Sequence, residues 1–227
     1  MRIDPLGDSA LLVRVVEEFR PDESLEAVLR ATDALEAAAI PGVVEFVPAY
    51  TTIGVCYDPA RSGSFDELRT KIEAALNRAL ETARPRAVAL IEVPVCYDDP
   101  ELAPDLDLVA QHTGLSSEAI VALHCRGEYH VTCVGFTPGF PYLSGLPAEL
   151  ATPRRASPRT EIPAGAVAIG GAQTGIYPRK SPGGWNIIGR TPLRLFNVER
   201  DPPALFHAGD RVRFRRISRD EFEEMSR

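Results

Sequence analysis

The segment that decides the fold runs from Gly135 to Pro192 and is dense in glycine and proline. It begins with Gly-Phe-Thr-Pro-Gly-Phe-Pro-Tyr-Leu at 135–143 and continues with Ile-Pro-Ala-Gly-Ala-Val-Ala-Ile-Gly-Gly-Ala-Gln-Thr-Gly-Ile-Tyr-Pro at 162–178. It closes with Ser-Pro-Gly-Gly-Trp-Asn-Ile-Ile-Gly-Arg-Thr-Pro at 181–192. The segment holds 10 of the 17 glycines and 9 of the 20 prolines in the chain. Ordinary surface loops do not need so many fixed or permissive backbone positions.

The same segment reverses the charge of the chain. The whole chain carries a net charge of −7, whereas this segment has six basic residues and two acidic ones. The acidic total argues against a general nucleic-acid binder. A small anionic ligand would respond to the local excess of arginine instead. We therefore expect function within this segment.

Composition and cysteine usage indicate a globular protein of a reducing compartment. Hydrophobic residues make up 44% of the chain and charged residues 25%. No apolar run is long enough to cross a bilayer, and the first residues carry acids where a signal peptide carries its apolar core. The four cysteines lack Cys-x-x-Cys spacing, which favours free thiols over a metal site. We expect a cytoplasmic protein with no metal and no membrane or nucleic-acid partner.

Residues 1–86 alternate between strand and helix patterns. The predicted elements are a strand at 9–16, a helix opening at Pro21, a hairpin of strands at 43–47 and 51–57, and a helix capped by Ser64 whose apolar stripe ends at Leu80. This order predicts a small α+β sandwich with both helices on one face of an antiparallel sheet. Arg84-Pro85-Arg86 marks its boundary.

Residues 87–227 are predicted to be mainly β. A strand at 88–97 could pair with either domain, and two helices follow at 105–113 and 116–123. The pattern becomes β from Tyr129. Further short apolar runs occur at 166–169, 185–188, 193–196 and 211–214, before a helix at 218–225. Many short strands with frequent turns indicate a closed or sandwich β architecture.

Three arginines stand directly after turn-forming residues and are candidates for substrate binding. They are Arg154, Arg159 and Arg190. A rigid turn gives each guanidinium a stiff base, and a guanidinium can hold a carboxylate or phosphate through two parallel hydrogen bonds. The alternative is that each arginine pairs with a surface acid or caps a loop carbonyl.

Aromatic and amide side chains in the same segment could complete a substrate pocket. Tyr142, Tyr177 and Trp185 each lie close to glycine or proline and could wall a pocket for a flat amide or ring. The alternative for these rings is a barrel core or a partner interface. Gln173 could bind an amide through its donor and its acceptor, or could stabilise a turn.

The acid–base candidates are His124 and His130, because an unperturbed imidazole titrates near neutrality. We predict a catalytic role for His124, which ends a predicted helix; helix capping is the alternative. The chain has no Gly-x-x-x-x-Gly-Lys-Ser/Thr phosphate loop, no Gly-x-Gly-x-x-Gly after a strand and no Gly-x-Ser-x-Gly elbow. No self-sufficient catalytic apparatus is therefore visible in the residues themselves.

Several long motifs of this segment closely resemble the KipI family, which is also called allophanate hydrolase subunit 1 or PxpB. The motifs are Gly135 to Leu143, Pro163-Ala164-Gly165, Gln173 to Pro178, Ser181 to Trp185, and Gly189 to Pro192. The resemblance extends over most of the chain. It implies a small α+β N-terminal domain at 1–86, followed by a mainly β, cyclophilin-like barrel domain at 87–227.

The resemblance also implies a function that is shared between proteins. Relatives act with a KipA or PxpC family subunit (allophanate hydrolase subunit 2) and a PxpA-type subunit as an ATP-dependent 5-oxoprolinase. That enzyme opens the lactam of 5-oxo-L-proline to give L-glutamate, and ATP would be bound by the complex rather than clearly by this chain. The alternatives are a histidine kinase inhibitor and a subunit of an allophanate hydrolase or urea carboxylase.

Overall fold

The computed structural model describes residues 2–79 and 88–227. The chain divides into two compact units, Met1–Val88 and Ala89–Arg227. The predicted boundary at 84–86 and the stripe residue Leu80 lie outside the described residues.

The first unit is a four-stranded antiparallel sheet with helices. Its elements are β1 (Arg2–Pro5), β2 (Ala10–Arg14), α1 (Pro21–Ala37), β3 (Val43–Ala49), β4 (Thr52–Tyr57), α2 (Pro59–Ser62) and α3 (Phe65–Ala79). The strand order is β1-β2-β4-β3, and β3 and β4 form the predicted hairpin. Ser64 and Glu67 form a capping box at the start of α3, since each side chain accepts a hydrogen bond from the other's backbone N–H.

Alternation along the strands and helical spacing together build the core of this unit. Leu11 and Val13 of β2 and Ile53 and Val55 of β4 point to one face of the sheet and are fully buried. The apolar stripes of α1 and α3 cover that face, with the buried residues Val28, Leu35, Leu68 and Ile72. The predicted arrangement of two helices on one face of the sheet is therefore observed.

The second unit is a nearly closed seven-stranded barrel with three α-helices and one 3-10 helix, Ala148–Leu150. Its first elements are β5 (Leu90–Val95), α4 (Leu106–Thr113), α5 (Ser117–Arg126), β6 (Tyr129–Val134) and β7 (Pro141–Ser144). The strands β8 (Arg159–Ile162), β9 (Ala166–Gly170), β10 (Gln173–Ile176), β11 (Ser181–Gly183), β12 (Asn186–Arg190) and β13 (Arg211–Arg216) follow, and α6 (Arg219–Met225) is the last element.

The barrel closes between its two edge strands. The order of the main sheet is β12-β9-β10-β7-β6-β13-β5, and β8 pairs separately with β11. Cys96, next to β5, exchanges two backbone hydrogen bonds with Arg190 at the end of β12, at N–O distances of 2.9 and 3.0 Å. All seven strands of the main sheet contribute to one buried interior, to which α4 and α5 add Val109 and Ile120.

Strand β9 separates two buried clusters. Val167 and Ile169 of β9 belong to the barrel interior, whereas Ala166 and Ala168 of the same strand belong to a second cluster on the outside. This alternation follows from the two-residue period of a strand. The outer cluster holds most of the aromatic residues of the glycine- and proline-rich segment.

The structure corrects one strand prediction for this unit and completes another. The run at 193–196 forms no strand; Phe196 makes only an isolated bridge to Ala204. Pro192, directly before this run, lacks the N–H that a ladder requires, which is consistent with the irregular backbone. The strand predicted at 88–97 pairs in parallel with β13, so it belongs to the barrel.

Candidate functional site

The outside of the barrel carries an aromatic face, formed by Phe140, Tyr142, Tyr177 and Trp185 with Phe136 at its margin. The Phe140 ring lies at the centre, with its centroid 5.1 Å from that of Tyr177 and 5.7 Å from that of Trp185, both edge-on. The ring centroid of Tyr142 is 5.9 Å from that of Trp185. Three of the predicted substrate-binding residues are therefore brought together.

Glycines are required where this face meets the backbone. A Cβ at Gly170 of β9 would overlap the indole ring of Trp185. A Cβ at Gly183 of β11 would overlap the hydroxyl of Tyr177. The glycine-rich sequence thus lets two large rings lie against neighbouring strands, which a side chain at either position would prevent.

The rings of this face differ in exposure. Trp185 and Tyr177 are buried and Tyr142 is half-buried, whereas 60% of Phe136 is exposed. Burial raises the pKa of the Tyr177 and Tyr142 hydroxyls, an effect that the nearby charge of Arg154 partly opposes. Both tyrosines are therefore neutral hydrogen-bonding groups near pH 7.

Arg154 stands over the aromatic face. Its guanidinium carbon lies 5.6 Å from the centroid of the Trp185 ring, within the range of a cation–π contact. The side chain is exposed and has no ion pair with any residue in the part of the chain that the structure describes. Arg154 is thus a cation held by an aromatic ring and open to an external anion.

Gln173 begins β10 on the same side of the sheet. It lies opposite Gly170 in the β9–β10 register, next to the backbone on which Trp185 packs. Strand alternation places Gln173 on the face of Gly175, which contacts Phe140, while Thr174 points to the interior. Five of the predicted site residues therefore share this face: Tyr142, Arg154, Gln173, Tyr177 and Trp185.

Arg159 is placed differently, in a buried ion-pair cluster. Its two terminal nitrogens donate to both oxygens of Asp105 at 2.7 and 2.8 Å. Arg155 also donates to Asp105 at 2.8 Å, and the backbone N–H of Ile187 donates at 2.7 Å. Asp105 is only 2% exposed. The guanidinium of Arg159 is therefore engaged within the chain, as the acid-pairing alternative predicted, although with a buried acid.

Arg190 lies at the barrel closure and caps a loop carbonyl. Its Nε donates to the carbonyl oxygen of Ala164 at 2.8 Å, and its guanidinium carbon is 5.9 Å from the ring centroid of Phe222 in α6. Burial, and to a smaller degree the charge of Arg219, lowers the pKa of Arg190. These contacts direct the guanidinium towards the closure and α6, so the structure does not bring it to the aromatic face.

His124 is enclosed in the barrel interior, on the opposite side of the sheet from the aromatic face. Its Nδ1 is 2.8 Å from the Tyr97 hydroxyl and its Nε2 is 3.1 Å from the Thr174 hydroxyl. Thr174 donates its only hydroxyl hydrogen to the carbonyl of Ala168. Nε2 must therefore donate to Thr174, and Nδ1 must accept from Tyr97.

Burial also fixes the charge of His124. The side chain is fully buried and stacks on Phe214 with a centroid distance of 4.3 Å. Desolvation lowers the pKa of His124 to about 3, so the imidazole is neutral near pH 7. Both ring nitrogens of His124 are hydrogen-bonded within the chain, and the side chain has no exposed surface. This geometry gives no support to the predicted catalytic role.

The second histidine candidate, His130, lies on β6. It is half-buried and stands opposite Ser144 of β7 and Arg211 of β13 in the strand registers. Phe140 and Tyr142 lie nearer the other end of the β6–β7 pair, where Val134 stands opposite Pro141. The structure therefore places His130 away from the centre of the aromatic face.

Sequence reasoning missed Asp105 and Arg155 as members of a site. Asp105 stands where an acid commonly begins a helix, so its sequence context suggests capping. Its side chain makes no cap hydrogen bond and instead reaches Arg155 and Arg159, at least 50 residues away in sequence. Only the three-dimensional path of the loop at 152–158 brings these charges together.

Metal and membrane features are lacking in the described parts of the chain. Within residues 2–79 and 88–227, no three or more His, Cys, Asp or Glu side chains are grouped to hold a metal ion. The four cysteines are free. No helix in these two ranges has the length and apolar character needed to cross a membrane.

Comparison with known proteins identifies the family. The model of the family "Carboxyltransferase domain, subdomain C and D" matches residues 1–206. The chain is 41% identical to the B component of the 5-oxoprolinase of Bacillus subtilis (strain 168), over 97% of this chain and 95% of that protein. It is 43% identical to the B component of the 5-oxoprolinase of Escherichia coli O157:H7, over 92% of this chain and 93% of that protein.

A solved structure has a similar fold. The crystal structure of TTHA0988 superposes with a TM-score of 0.78 at 37% identity and covers 92% of this chain. The chain spans 40% of the length of TTHA0988. A distant match, the putative urea carboxylase of Emericella nidulans, is 28% identical over 66% of this chain and 12% of that protein. The family match along most of the sequence shows that this chain belongs to the carboxyltransferase subdomain C and D family, together with the 5-oxoprolinase B components that it resembles.

Proposed function

We propose that this chain is the B component of an ATP-dependent 5-oxoprolinase. The complex hydrolyses 5-oxo-L-proline to L-glutamate, and its other members are a KipA or PxpC family subunit and a PxpA-type subunit. The observation that carries the proposal is the 41% identity to the B component of the B. subtilis enzyme along 97% of this chain. The urea carboxylase match covers only 12% of its counterpart and does not favour that alternative.

The aromatic face suits the chemistry of such a substrate. 5-Oxoproline is small, carries one carboxylate and has a planar lactam. Among the described residues Arg154 has no partner ion, so its guanidinium is open to an anion, and the half-buried ring of Tyr142 offers apolar surface near it. Gln173 lies on the same face and can bind an amide through its donor and acceptor. We propose that these groups face the substrate.

The remaining predicted site residues support the scaffold in this proposal. His124, Arg159 and Arg190 each direct polar atoms to groups of the same chain. Because the enclosed imidazole of His124 is neutral and fully occupied, we propose that a partner subunit supplies the acid–base groups. A partner also supplies the ATP site, and this chain alone has no turnover.

Exposure at the margin of the aromatic face supports a shared site. Phe136 has a φ of 68°, a backbone conformation that residues other than glycine rarely adopt. Its side chain is largely exposed to solvent. Strained backbone that displays an aromatic ring is more typical of an interaction site than of a solvated loop. We propose that the PxpC-type partner completes the site over this margin.

We propose that residues 1–86 and 87–227 are separate domains, the second a cyclophilin-like barrel, and that the complex works in the cytoplasm. The compact units Met1–Val88 and Ala89–Arg227 support the division. The kinase-inhibitor hypothesis stays a prediction that rests on family resemblance alone.

The test is a reconstitution with the proteins that copurify with this chain from its source cells. ATP hydrolysis and glutamate formation are measured with 5-oxo-L-proline, with and without this chain. We expect both activities only in the complete mixture. Unchanged turnover after this chain is left out would overturn the proposal.

A further inference from the structure

The two peptide groups that flank Arg154 are both hydrogen-bonded. On one side, the carbonyl oxygen of Pro153 accepts from Nδ2 of Asn186 at 2.8 Å. On the other side, the N–H of Arg155 donates to the carbonyl oxygen of Gly184 at 2.7 Å. These partners are the residues directly before and after the tryptophan on whose ring the Arg154 guanidinium lies. The backbone that carries the cation is therefore tied to the backbone that carries the ring.

Asp105 joins the same two segments a little further along the chain. Its Oδ1 accepts from the guanidinium of Arg155 at 2.8 Å, and its Oδ2 accepts from the N–H of Ile187 at 2.7 Å. The backbone N–H of Asp105 donates in turn to the carbonyl oxygen of Ile187 at 2.9 Å. Because two hydrogen bonds with Ile187 fix this buried carboxylate, it is a stationary anchor for Arg155. Loss of its charge would release the Arg155 guanidinium directly beside Arg154.

A guanidinium that is already held in place binds an anion better than a mobile one. An arginine side chain that rotates freely loses rotamer freedom when it binds an anion, and this loss weakens binding. Arg154 has a constrained backbone, and its guanidinium carbon lies 5.6 Å from the centroid of the Trp185 ring. Its charge stays available, since no acid in the described ranges pairs with it. The side chain is thus oriented before a planar carboxylate arrives.

We propose that Asp105 is a positioning residue of the site, which acts through Arg155 to set the place of the Arg154 guanidinium over Trp185. This role rests on the proposed function, in which Arg154 holds the carboxylate of 5-oxo-L-proline on the aromatic face. Asp105 is only 2% exposed, so it makes no contact with the substrate itself. It raises the affinity for the substrate by keeping the cation in place.

The first test is steady-state turnover of 5-oxo-L-proline by the reconstituted complex with Asp105→Asn in place of the parent chain. We expect KM to rise about fivefold or more and kcat to change by less than about twofold, because carboxylate binding weakens while the reacting groups stay intact. A merely structural role would reduce the folded fraction, which lowers kcat and leaves KM unchanged. The control is Arg179→Gln, an exposed arginine of the same glycine- and proline-rich segment, which should keep both constants.

Combining Asp105→Asn with Arg154→Gln tests whether the effect passes through Arg154. We expect the double variant to have the KM of Arg154→Gln alone, whereas Asp105→Asn lowers Tm equally in both backgrounds. Arg155→Gln is a milder second variant, because Asp105 keeps its two hydrogen bonds from Arg159 and so retains a counter-ion. Its KM should rise as well. Increases in KM that multiply in the double variant would overturn the positioning role.

The ring of Trp185 provides a measurement that needs neither partner nor substrate. Trp185 is the only tryptophan in the chain, so the isotopically labelled full chain shows one indole N–H signal in a proton–nitrogen correlation spectrum. We expect Arg154→Gln and Asp105→Asn to move this signal in the same direction, because both take the cation away from the ring. Arg179→Gln should leave the signal in place. A signal that stays at the parental position in Asp105→Asn would contradict the proposed role.

The two kinds of measurement separate this role from the proposed function. A displaced indole signal in Asp105→Asn, together with turnover that does not depend on this chain, supports the positioning of Arg154 and overturns the proposed function. Turnover that requires this chain, together with an unchanged KM in Asp105→Asn, supports the proposed function and overturns the positioning role.

Discussion

At the scale of single residues, Asp105 shows how one carboxylate organises a loop. It joins Arg155 and Arg159 to the start of α4 and accepts the backbone N–H of Ile187, so three chain segments meet at one buried group. The desolvation cost of burying this charge is offset only because every acceptor site of the carboxylate is used. The loop that carries Arg154 is positioned by the same cluster.

Replacing Asp105 tests that role. We expect Asp105→Asn to lower the free energy of unfolding by about 2–4 kcal/mol, because two partly buried guanidinium groups lose their counter-ion. Urea denaturation of both proteins measures the difference. The matched control is Asp107→Asn, an exposed position in the first turn of α4, which should change stability by less than about 0.5 kcal/mol. Equal losses in the two variants would contradict the assignment.

The buried imidazole of His124 should make the free energy of unfolding depend on pH. Its pKa is about 3 in the folded chain and near 6.5 when exposed, so between these values the unfolded state binds a proton that the folded state excludes. The contribution of His124 is therefore fully present above pH 6.5 and is lost as pH falls towards about 3. One such group adds a slope of about 1.4 kcal/mol per pH unit.

Comparing variants isolates this slope. We expect the stability of His124→Phe to fall less steeply than that of the parent as pH drops, although Tyr97 and Thr174 lose a partner and the variant is less stable at neutral pH. His112→Gln, which changes an exposed histidine, should keep the parental slope. Denaturation midpoints across the range give the comparison, and a parental slope in His124→Phe would refute it.

At the scale of elements, the turn preceding β7 places one phenylalanine on the surface and another in the core. Phe136 is exposed and strained, whereas Phe140 in the same turn is buried at the centre of the face. We expect Phe136→Ser to change the stability of the isolated chain by less than about 1 kcal/mol. If the proposed PxpC-type subunit binds over this margin, the substitution should weaken its binding by about tenfold or more, because a large aromatic anchor is lost.

The control for this prediction is Val198→Ser, which changes another exposed apolar residue outside the aromatic face. Surface plasmon resonance with the immobilised partner measures both affinities. Equal, small effects of the two substitutions would place the partner elsewhere on the molecule.

Local patterns predicted most elements but not how they meet. The helical stripes of α1 and α3 and the turns around β9 and β12 follow from spacing alone, and each appears close to its expected position. The parallel pairing of β5 with β13 joins residues more than 100 positions apart, so no local period could reveal it. The run at 193–196 resembles a strand because it is apolar, yet it supplies Leu195 to the interior from an irregular backbone.

In the candidate site, too, local sequence patterns indicate individual residues but not their tertiary contacts. The turn-rich surroundings of Tyr142, Tyr177 and Trp185 distinguish these rings in the sequence, and the glycines beside them explain why the rings lie on one face. Arg159 had equally suggestive neighbours, but its partner is an acid 54 residues away. The ion-pair partner of an arginine depends on tertiary contacts. The sequence pattern therefore indicates a positioned arginine but cannot predict which acid pairs with it.

At the scale of the whole molecule, each unit encloses its own hydrophobic core. The core of the first unit is built from its sheet and from α1 and α3, and the interior of the second is built from seven strands with α4 and α5. A unit that buries a core of its own can fold alone. We therefore expect a fragment of residues 88–227 to fold when it is produced without the first unit.

The measurement is cooperative unfolding of that fragment in urea, followed by near-ultraviolet circular dichroism. Trp185 packs against Phe140 and Tyr142 within the fragment, so its asymmetric environment reports on native packing. A matched fragment that begins at residue 97 lacks β5, which leaves β13 unpaired on one side and removes Val93 and Val95 from the interior. We expect the longer fragment to unfold in one transition and the shorter one to lack native packing. Loss of packing in both fragments would mean that the barrel depends on the first unit, and would overturn the proposed division into two domains.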